Sequence, residues 1–94
     1  MAKIILKGHI VIPKADLITV REELVTHIEL TRQEPGCLVF EIEQDSTDEH
    51  TFHVYEEFAN REAFEAHQDR VKASRWGQVS RNVVRHFEVT ECDS

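Results

Sequence analysis

Apolar and polar residues alternate in four stretches of the chain, and two longer stretches between them repeat at helical spacing. The alternation predicts strands over residues 3–12, 37–44, 51–58 and 85–90. The spacing of three and four residues predicts helices over residues 16–33 and 61–73. Asn60 is a good N-cap for the second helix, and Ser74 for a short helix that carries Trp76 and Val79. The elements therefore follow the order β-α-β-β-α-β.

This order is that of the ferredoxin-like fold, an α+β sandwich with one antiparallel sheet and both helices on one face. The first strand has an apolar face made of isoleucines and Leu6 and a mixed opposite face, as expected of a central strand. The sheet face without helices needs a cover. Because the strands supply apolar residues to both faces, we expect two such sheets to pack face to face in a homodimer.

The segment from Glu34 to Gly36 joins the first helix to the second strand. Pro35 disfavours helical geometry at Glu34, so the helix should end there. Gly36 supplies the positive φ that such a turn often needs. Gly8, inside the first strand, indicates a bulge or another chain segment packed closely over the backbone.

The spacing of residues predicts two apolar faces. It leaves the start of the first helix open between two capping patterns. The helix begins either at Asp16 or one turn later, at a capping box formed by Thr19 and Glu22. Its apolar stripe is expected to contain Leu17, Val20, Leu24, Ile28 and Thr31. The second strand is expected to place Leu38, Phe40 and Ile42 on one face.

Length and charge narrow the class of protein. The 94 residues correspond to one domain, 1–94, with a frayed tail over 91–94. The net charge of −7 argues against nucleic acid or an anionic membrane as a partner. No apolar run reaches the length of a membrane span or a signal peptide, so a cytoplasmic protein is expected. Cys37 and Cys92 are expected as reduced thiols.

Glu56 and His67 interrupt apolar faces and are the first candidates for chemistry. Glu56 alternates with Phe52, Val54 and Phe58, and a carboxylate on such a face needs a partner or a proton. It is either a buried acid or a sheet-edge residue that reaches solvent or a partner chain. His67 lies on the inward side of the second helix, as a structural histidine or as a base near neutral pH.

Several classes of site find no support in the residues. No glycine-rich nucleotide motif follows a strand. The six histidines show neither the HxH nor the HExxH pattern, so no metal site is expected. Cys37 lies in a strand rather than at a helix N-terminus, which disfavours a nucleophilic thiol.

The chain resembles the antibiotic biosynthesis monooxygenase family over nearly its whole length. The resemblance rests on the turn Glu34-Pro35-Gly36-Cys37-Leu38, on Phe40, on Tyr55-Glu56-Glu57-Phe58, and on Ala63 with Ala66-His67. The family forms a dimeric α+β barrel. Its members include cofactor-independent monooxygenases that oxidise quinols or phenolic polyketide intermediates with molecular oxygen. Relatives degrade haem or isomerise small metabolites, and many have no known activity.

Family positions can be compared with this sequence one by one. His67 matches the helix histidine, while Phe40 and Phe58 stand where the family usually has Tyr and Trp. The second histidine with its aromatic neighbour is replaced by Arg75-Trp76, displaced by about three residues, which weakens any mechanism that needs two helix histidines. The first strand also lacks the asparagine of haem degraders, so haem is not expected.

The leading hypothesis is therefore a cofactor-free monooxygenase acting on a small quinol-like or polyketide-like aromatic. His67 would be the base, and Glu56 would orient it or act as the base itself. Phe40, Phe58 and Trp76 would stack on the substrate, unless Trp76 only packs the core or a dimer interface, and His9 would be a second polar contact. The alternatives are a non-catalytic dimeric domain, binding a small molecule or serving as a structural partner, and an isomerase-type enzyme. His27 and His86 belong to no predicted constellation.

Overall fold

The computed structural model of the protein describes residues 2–93. Its strands are β1 (Ala2–Val11), β2 (Cys37–Gln44), β3 (Thr51–Phe58) and β4 (Val84–Asp93). Its helices are α1 (Leu17–Arg32), α2 (Arg61–Ala73) and α3 (Arg75–Val79), with a turn of 3-10 helix at Lys14–Asp16 before α1. The four strands form one antiparallel sheet in the order β2-β3-β1-β4. The predicted ferredoxin-like α+β fold is confirmed.

The core lies between the sheet and the helices. The inward face of β1 buries Ile4, Leu6 and Ile10, as the alternation predicted. Val20 and Leu24 of α1 pack against this face together with Trp76 of α3 and Val54 of β3. Asp16 directly precedes α1, but its side chain does not cap the helix.

Gly8 lies at the centre of the sheet, opposite Val54 on one side and Phe87 on the other. A Cβ atom at this position would collide with the carbonyl oxygen of His86. The close backbone approach predicted for Gly8 is therefore confirmed, and β1 keeps its regular register there.

Gly36 brings the turn before β2 against α2. It has φ of +86°, and a Cβ atom there would lie 2.6 Å from the Cβ of Ala63. Asn60 caps α2 as predicted, since its Oδ1 accepts a hydrogen bond from the Ala63 N–H at 2.8 Å. Ser74 likewise caps α3 through the N–H of Gly77. This close packing holds Glu34, two residues before Gly36, beside α2.

The predicted position of Leu38 is wrong. Cys37 pairs with Phe58 and Val39 with Glu57, so the register shifts between Cys37 and Val39 and Leu38 is the extra residue of a β-bulge. Leu38 is consequently exposed, whereas Phe40 is buried and Ile42 partly buried. The bulge breaks the simple alternation that the apolar pattern implied.

The tail predicted for residues 91–94 is also wrong over most of its length. β4 continues through Glu91 and Cys92 to Asp93, where its backbone pairs with residues 2–4 of β1. Backbone pairing with the start of β1, rather than apolar side chains, extends the strand. Ser94 lies outside the described residues.

Candidate active site

A small cavity lies between the sheet and the helices. Its volume is about 60 Å³. The polar and aromatic side chains in its wall are His27, Glu56, His67, Trp76, Arg85 and Phe87. These side chains come from all three helices and from strands β3 and β4, which are far apart in the sequence.

His67 is held in place by a carboxylate from the turn before β2. Its Nδ1 lies 2.7 Å from Oε1 of Glu34. The other oxygen of Glu34, Oε2, accepts a hydrogen bond of 2.7 Å from Nε of Arg70, one turn further along α2. Arg70 also donates to the Thr31 hydroxyl at 3.0 Å. Because Glu34 accepts from Nδ1–H, the unprotonated nitrogen of a neutral His67 is Nε2.

Glu56 is a buried acid and not a residue of the sheet edge. β3 lies between β2 and β1, and Glu56 is only 6% exposed. Its Oε1 lies 3.8 Å from Nε2 of His67. Burial, together with the charge of Glu34, raises the pKa of Glu56 to about 8. Glu56 therefore carries its proton at neutral pH.

Burial shifts the pKa of His67 in the opposite direction to the pKa of Glu56. Desolvation lowers the pKa of His67, and it outweighs the hydrogen bond to Glu34, which raises the pKa. Although 3.8 Å would permit an ion pair between His67 and Glu56, burial disfavours the charged form of both groups. At neutral pH the cavity wall therefore holds an uncharged base next to an uncharged acid.

His27 and Trp76 form the aromatic part of the wall. Their rings are stacked, with centroids 4.5 Å apart and an interplanar angle of 6°. The ring of His27 lies 6.0 Å from that of His67. Trp76 thus lines the cavity while it also belongs to the core, so the two roles considered for it are compatible.

Phe40 and Phe58 support His67 without belonging to the cavity wall. The ring of Phe58 lies 4.9 Å from His67, and that of Phe40 lies 5.8 Å from it. Both phenylalanines are almost completely buried. They fix the position of the imidazole, while the stacking surface available to a ligand is that of Trp76 and His27.

His9 lies on the opposite face of the sheet. It pairs with His53 of β3 and His86 of β4, and its ring stacks on His86 at 4.6 Å. Side chains alternate along a strand, so the two neighbours of His9 in β1, Gly8 and Ile10, occupy the inward positions. The predicted contact of His9 with a ligand beside His67 is therefore not supported by its position.

Three cavity or support residues did not follow from the sequence reasoning. The sequence around Glu34 indicates only the end of a helix, and the partners of its carboxylate lie on another helix. His27 could have been found, since it falls at helical spacing between Leu24 and Thr31 on the buried stripe of α1. Arg85, which donates to the Ser80 hydroxyl at 2.9 Å, gave no signal beyond its place in a strand.

Two kinds of feature are absent from the described part of the chain. No group of three or more His, Cys, Asp or Glu side chains in this part of the chain is arranged to hold a metal ion. None of its helices has the length and apolar character needed to cross a membrane.

Comparisons with solved structures identify the same fold elsewhere. A conserved protein of unknown function from Bacteroides thetaiotaomicron superimposes with a TM-score of 0.81 at 18% identity, covering 96% of this chain and 97% of that one. A candidate antibiotic biosynthesis monooxygenase from Deinococcus radiodurans gives 0.76 at 22% identity, with coverages of 97% and 91%. A structure described as an antibiotic biosynthesis monooxygenase gives 0.71 at 24% identity, with coverages of 100% and 98%.

The family model for antibiotic biosynthesis monooxygenases matches residues 4–78. This range runs from β1 to α3 and contains Glu34, Glu56 and His67. No curated protein matches the sequence significantly. The match extends over most of the chain, and the solved structures agree with it in fold, so this protein is a member of the antibiotic biosynthesis monooxygenase family.

Proposed function

We propose that the protein is a cofactor-independent monooxygenase that oxidises a small phenol or quinol with molecular oxygen. The observation that carries this proposal is the pairing of a neutral His67, oriented by Glu34 at 2.7 Å, with a protonated Glu56 at 3.8 Å. Two titratable groups whose pKa values are shifted in opposite directions are typical of an acid–base site. Family membership supports the same reaction class.

His67 acts first, as the base. Nε2 accepts the proton of the substrate hydroxyl, and the resulting phenolate is electron-rich enough to transfer one electron to O₂ directly. The radical pair recombines at a ring carbon to give a peroxide, which accepts a proton from Glu56. Cleavage of the O–O bond, with loss of the hydrogen on the same ring carbon, then releases water and leaves a quinone carbonyl. One oxygen atom enters the product and the other leaves as water, and both hydrogens of that water derive from the substrate, so no external reductant is needed.

Glu56 acts as the acid rather than the base in this scheme. Its carboxyl group is protonated below about pH 8, while His67 is already neutral. The carboxylate that forms after proton transfer lies next to the imidazolium of His67. The substrate proton can then pass from His67 back to Glu56 and close the cycle.

The substrate must enlarge the cavity when it binds. The volume of about 60 Å³ is well below the ~150 Å³ of an engineered cavity that binds benzene. Phe87 lines the cavity and is 38% exposed, so it lies between the cavity and solvent. We infer that a flat substrate enters by displacing Phe87 and the neighbouring Arg85, and then stacks beside Trp76.

Oxygen uptake by purified, chelator-treated protein tests this function. A panel of quinols and phenolic polycycles is compared for the wild type, His67→Ala and the matched control Glu65→Ala, which changes an exposed residue of the same helix. We expect chelator-resistant uptake that falls at least about tenfold in His67→Ala, equivalent to ~1.4 kcal/mol of activation free energy. Uptake that is equal in all three proteins would remove His67 from the reaction, and no uptake would refute the oxygenase.

Two other functions use the same site and are distinguished by the same samples. The acid–base pair alone would suffice for an isomerase that moves a proton between carbon and oxygen of a small metabolite. Exchange of a carbon-bound hydrogen with deuterated solvent under anaerobic conditions, lost in His67→Ala, would favour that reaction. The small cavity volume favours a non-catalytic domain, and binding without uptake or exchange would support it.

We also propose that the protein is a homodimer in which the outer faces of two sheets pack together. That face carries Ile5, Val11 and Tyr55 among charged side chains and histidines, and the family relationship supports the dimer. Light scattering should then give about 22 kDa, twice the chain mass of 11.0 kDa. Val11→Glu should produce the monomer, whereas Ile18→Glu, at a 75% exposed site on α1, should not. A monomeric wild type would contradict the proposal.

The compartment is proposed from the thiols. Cys37 on β2 and Cys92 on β4 are free and lie on opposite edge strands of the sheet. Unpaired thiols persist most easily in a reducing compartment. We therefore place the protein in the cytoplasm, which fractionation of cells expressing it would test.

A further inference from the structure

His27 is the least explained residue of the cavity. It is 4% exposed, and its Nδ1 has no hydrogen-bond partner in the protein. Among the buried side-chain nitrogen and oxygen atoms of residues 2–92, this is the only one left without a partner. A buried polar atom in that state destabilises a fold by roughly 1–3 kcal/mol. The packing of the core therefore does not account for a histidine at this position.

Geometry restricts what can pair with this nitrogen. One face of the imidazole is covered by Trp76, and Phe40 makes a T-shaped contact with the same ring at a centroid distance of 5.3 Å. His27 also lines the cavity that contains His67 and Glu56. No group of the described residues hydrogen-bonds Nδ1, so we expect its partner to come from a molecule bound in this cavity.

We propose that His27 is a substrate-binding residue and that the substrate carries two oxygen functions on one small ring, one for His67 and one for Nδ1 of His27. This inference rests on the proposed function and specifies its substrate class. The two imidazole rings lie 6.0 Å apart across the cavity wall, a separation that one substituted aromatic ring can bridge.

A neutral imidazole can hydrogen-bond both the substrate and the product of the proposed reaction. Burial lowers the pKa of His27 to about 3, so the ring is uncharged throughout the neutral range. A neutral imidazole can accept a hydrogen bond from a hydroxyl or donate one to a carbonyl, depending on which nitrogen carries the proton. His27 can therefore pair with the hydroxyl of a quinol and with the carbonyl of the quinone formed from it. It binds and orients the substrate, since the proton is moved by His67.

The test measures binding without turnover. Trp76 is the only tryptophan of the chain and stacks on His27, so its fluorescence reports on the occupancy of the cavity. Phenol, catechol and hydroquinone are titrated anaerobically into the wild type, His27→Phe and the control Val25→Phe, which introduces a phenylalanine at an exposed site of α1. In the wild type, the better of the two diols should bind at least about tenfold more tightly than phenol.

In His27→Phe this preference should shrink to about twofold, the statistical factor for two equivalent hydroxyls, while affinity for phenol stays within about threefold of the wild type. Val25→Phe should retain the full preference. The unfolding midpoint of His27→Phe should equal or exceed that of the wild type, because the variant no longer buries an unpaired nitrogen. A structural role for His27 would instead lower the midpoint and leave the preference unchanged.

Three results would overturn the inference: an unchanged preference in His27→Phe, no preference in the wild type, or no binding of any of the three compounds. A water molecule that alone satisfies Nδ1 would give the first. Failure of the proposed function is seen separately, in the oxygen-uptake measurement. Loss of the preference without any uptake would retain His27 as a binding residue and reject the oxygenase.

Discussion

Oε1 of Glu34 lies 2.7 Å from Nδ1 of His67, although 33 residues separate the two in the sequence. The carboxylate comes from the turn between α1 and β2, and the imidazole from the middle of α2. Arg70 holds the other oxygen of the same carboxylate at 2.7 Å, so Glu34 is fixed on both sides. This arrangement selects the tautomer of His67 in which Nε2 is free to accept a proton.

The first prediction concerns this orientation. In Glu34→Gln the side-chain amide can donate to Nδ1, which places the imidazole proton on Nε2 and blocks the base. We expect kcat for oxygen uptake to fall at least about tenfold, ~1.4 kcal/mol. KM should change little, because Glu34 does not line the cavity. Glu29→Gln, on the exposed side of α1, is the control, and a Glu34→Gln variant with normal kcat would contradict the assigned role.

The second prediction is an alkaline limit to activity. Glu56 donates a proton in the proposed cycle, and its pKa is raised to about 8 by burial. The value of kcat/KM should therefore fall by about tenfold per pH unit above this value. Glu56→Gln cannot lose a proton in this range, so its residual activity should show no decline from this source. An alkaline limb that persists unchanged in Glu56→Gln would assign the titration to another group.

The third prediction follows from the same group and concerns stability. The pKa of Glu56 is about 8 in the folded protein against an ordinary value of 4.5, so the folded state binds the proton more tightly. The free energy of unfolding should consequently decrease as pH rises from about 4.5 to 8, by at most ~1.4 kcal/mol per pH unit from this residue. Above pH 8 both states are deprotonated and the decrease ends.

Urea unfolding of the wild type and Glu56→Gln at pH 5, 6, 7 and 8 measures this contribution. The free energy of unfolding of Glu56→Gln minus that of the wild type should increase with pH, because only the wild type loses the contribution of Glu56. Groups common to both proteins cancel in this difference. Parallel pH dependences in the two proteins would show that Glu56 titrates normally in the fold.

The local pattern of the sequence predicted the elements well wherever neighbouring residues decide them. β2, β3 and α2 begin and end at the predicted residues, and the inward positions of Glu56 and His67 followed from periods of two and 3.6 residues. The bulge at Leu38 and the extension of β4 depend on pairing with other strands. No local pattern encodes such pairing, so the prediction failed at these two places.

The site was predictable only in part, for the same physical reason. An interrupted apolar face identified Glu56 and His67, whereas Glu34 lies in a turn where a polar residue is ordinary. His9 has the chemistry of a site residue, but the alternation of side chains along β1 places it on the other face of the sheet. Periodicity can therefore say which side chains point inward, while the partner of each one depends on how the elements pack.

The fourth prediction tests the turn that delivers Glu34. Gly36 has φ of +86° and lies so close to α2 that an added Cβ would be 2.6 Å from the Cβ of Ala63. Gly36→Ala should lower the free energy of unfolding by roughly 1–3 kcal/mol, from backbone strain and the clash together. In the double variant with Ala63→Gly, the steric part should be relieved, and the two changes should cost less together than their sum. Strict additivity would show that the two residues are not in contact.

The fifth prediction concerns the entrance of the cavity at Phe87. Replacing this side chain by alanine removes the group that separates the cavity from solvent and makes room for a larger ligand. The ratio of kcat/KM for naphthols to that for single-ring phenols should rise by roughly tenfold, since differences of a few carbon atoms in an apolar pocket are worth 10-fold or more. Val89→Ala is the matched control, because Val89 lies two residues along the same strand face, is 51% exposed and does not line the cavity. An equal rise in both variants would indicate a general loosening of β4, and an unchanged ratio in Phe87→Ala would place the entrance elsewhere in the wall.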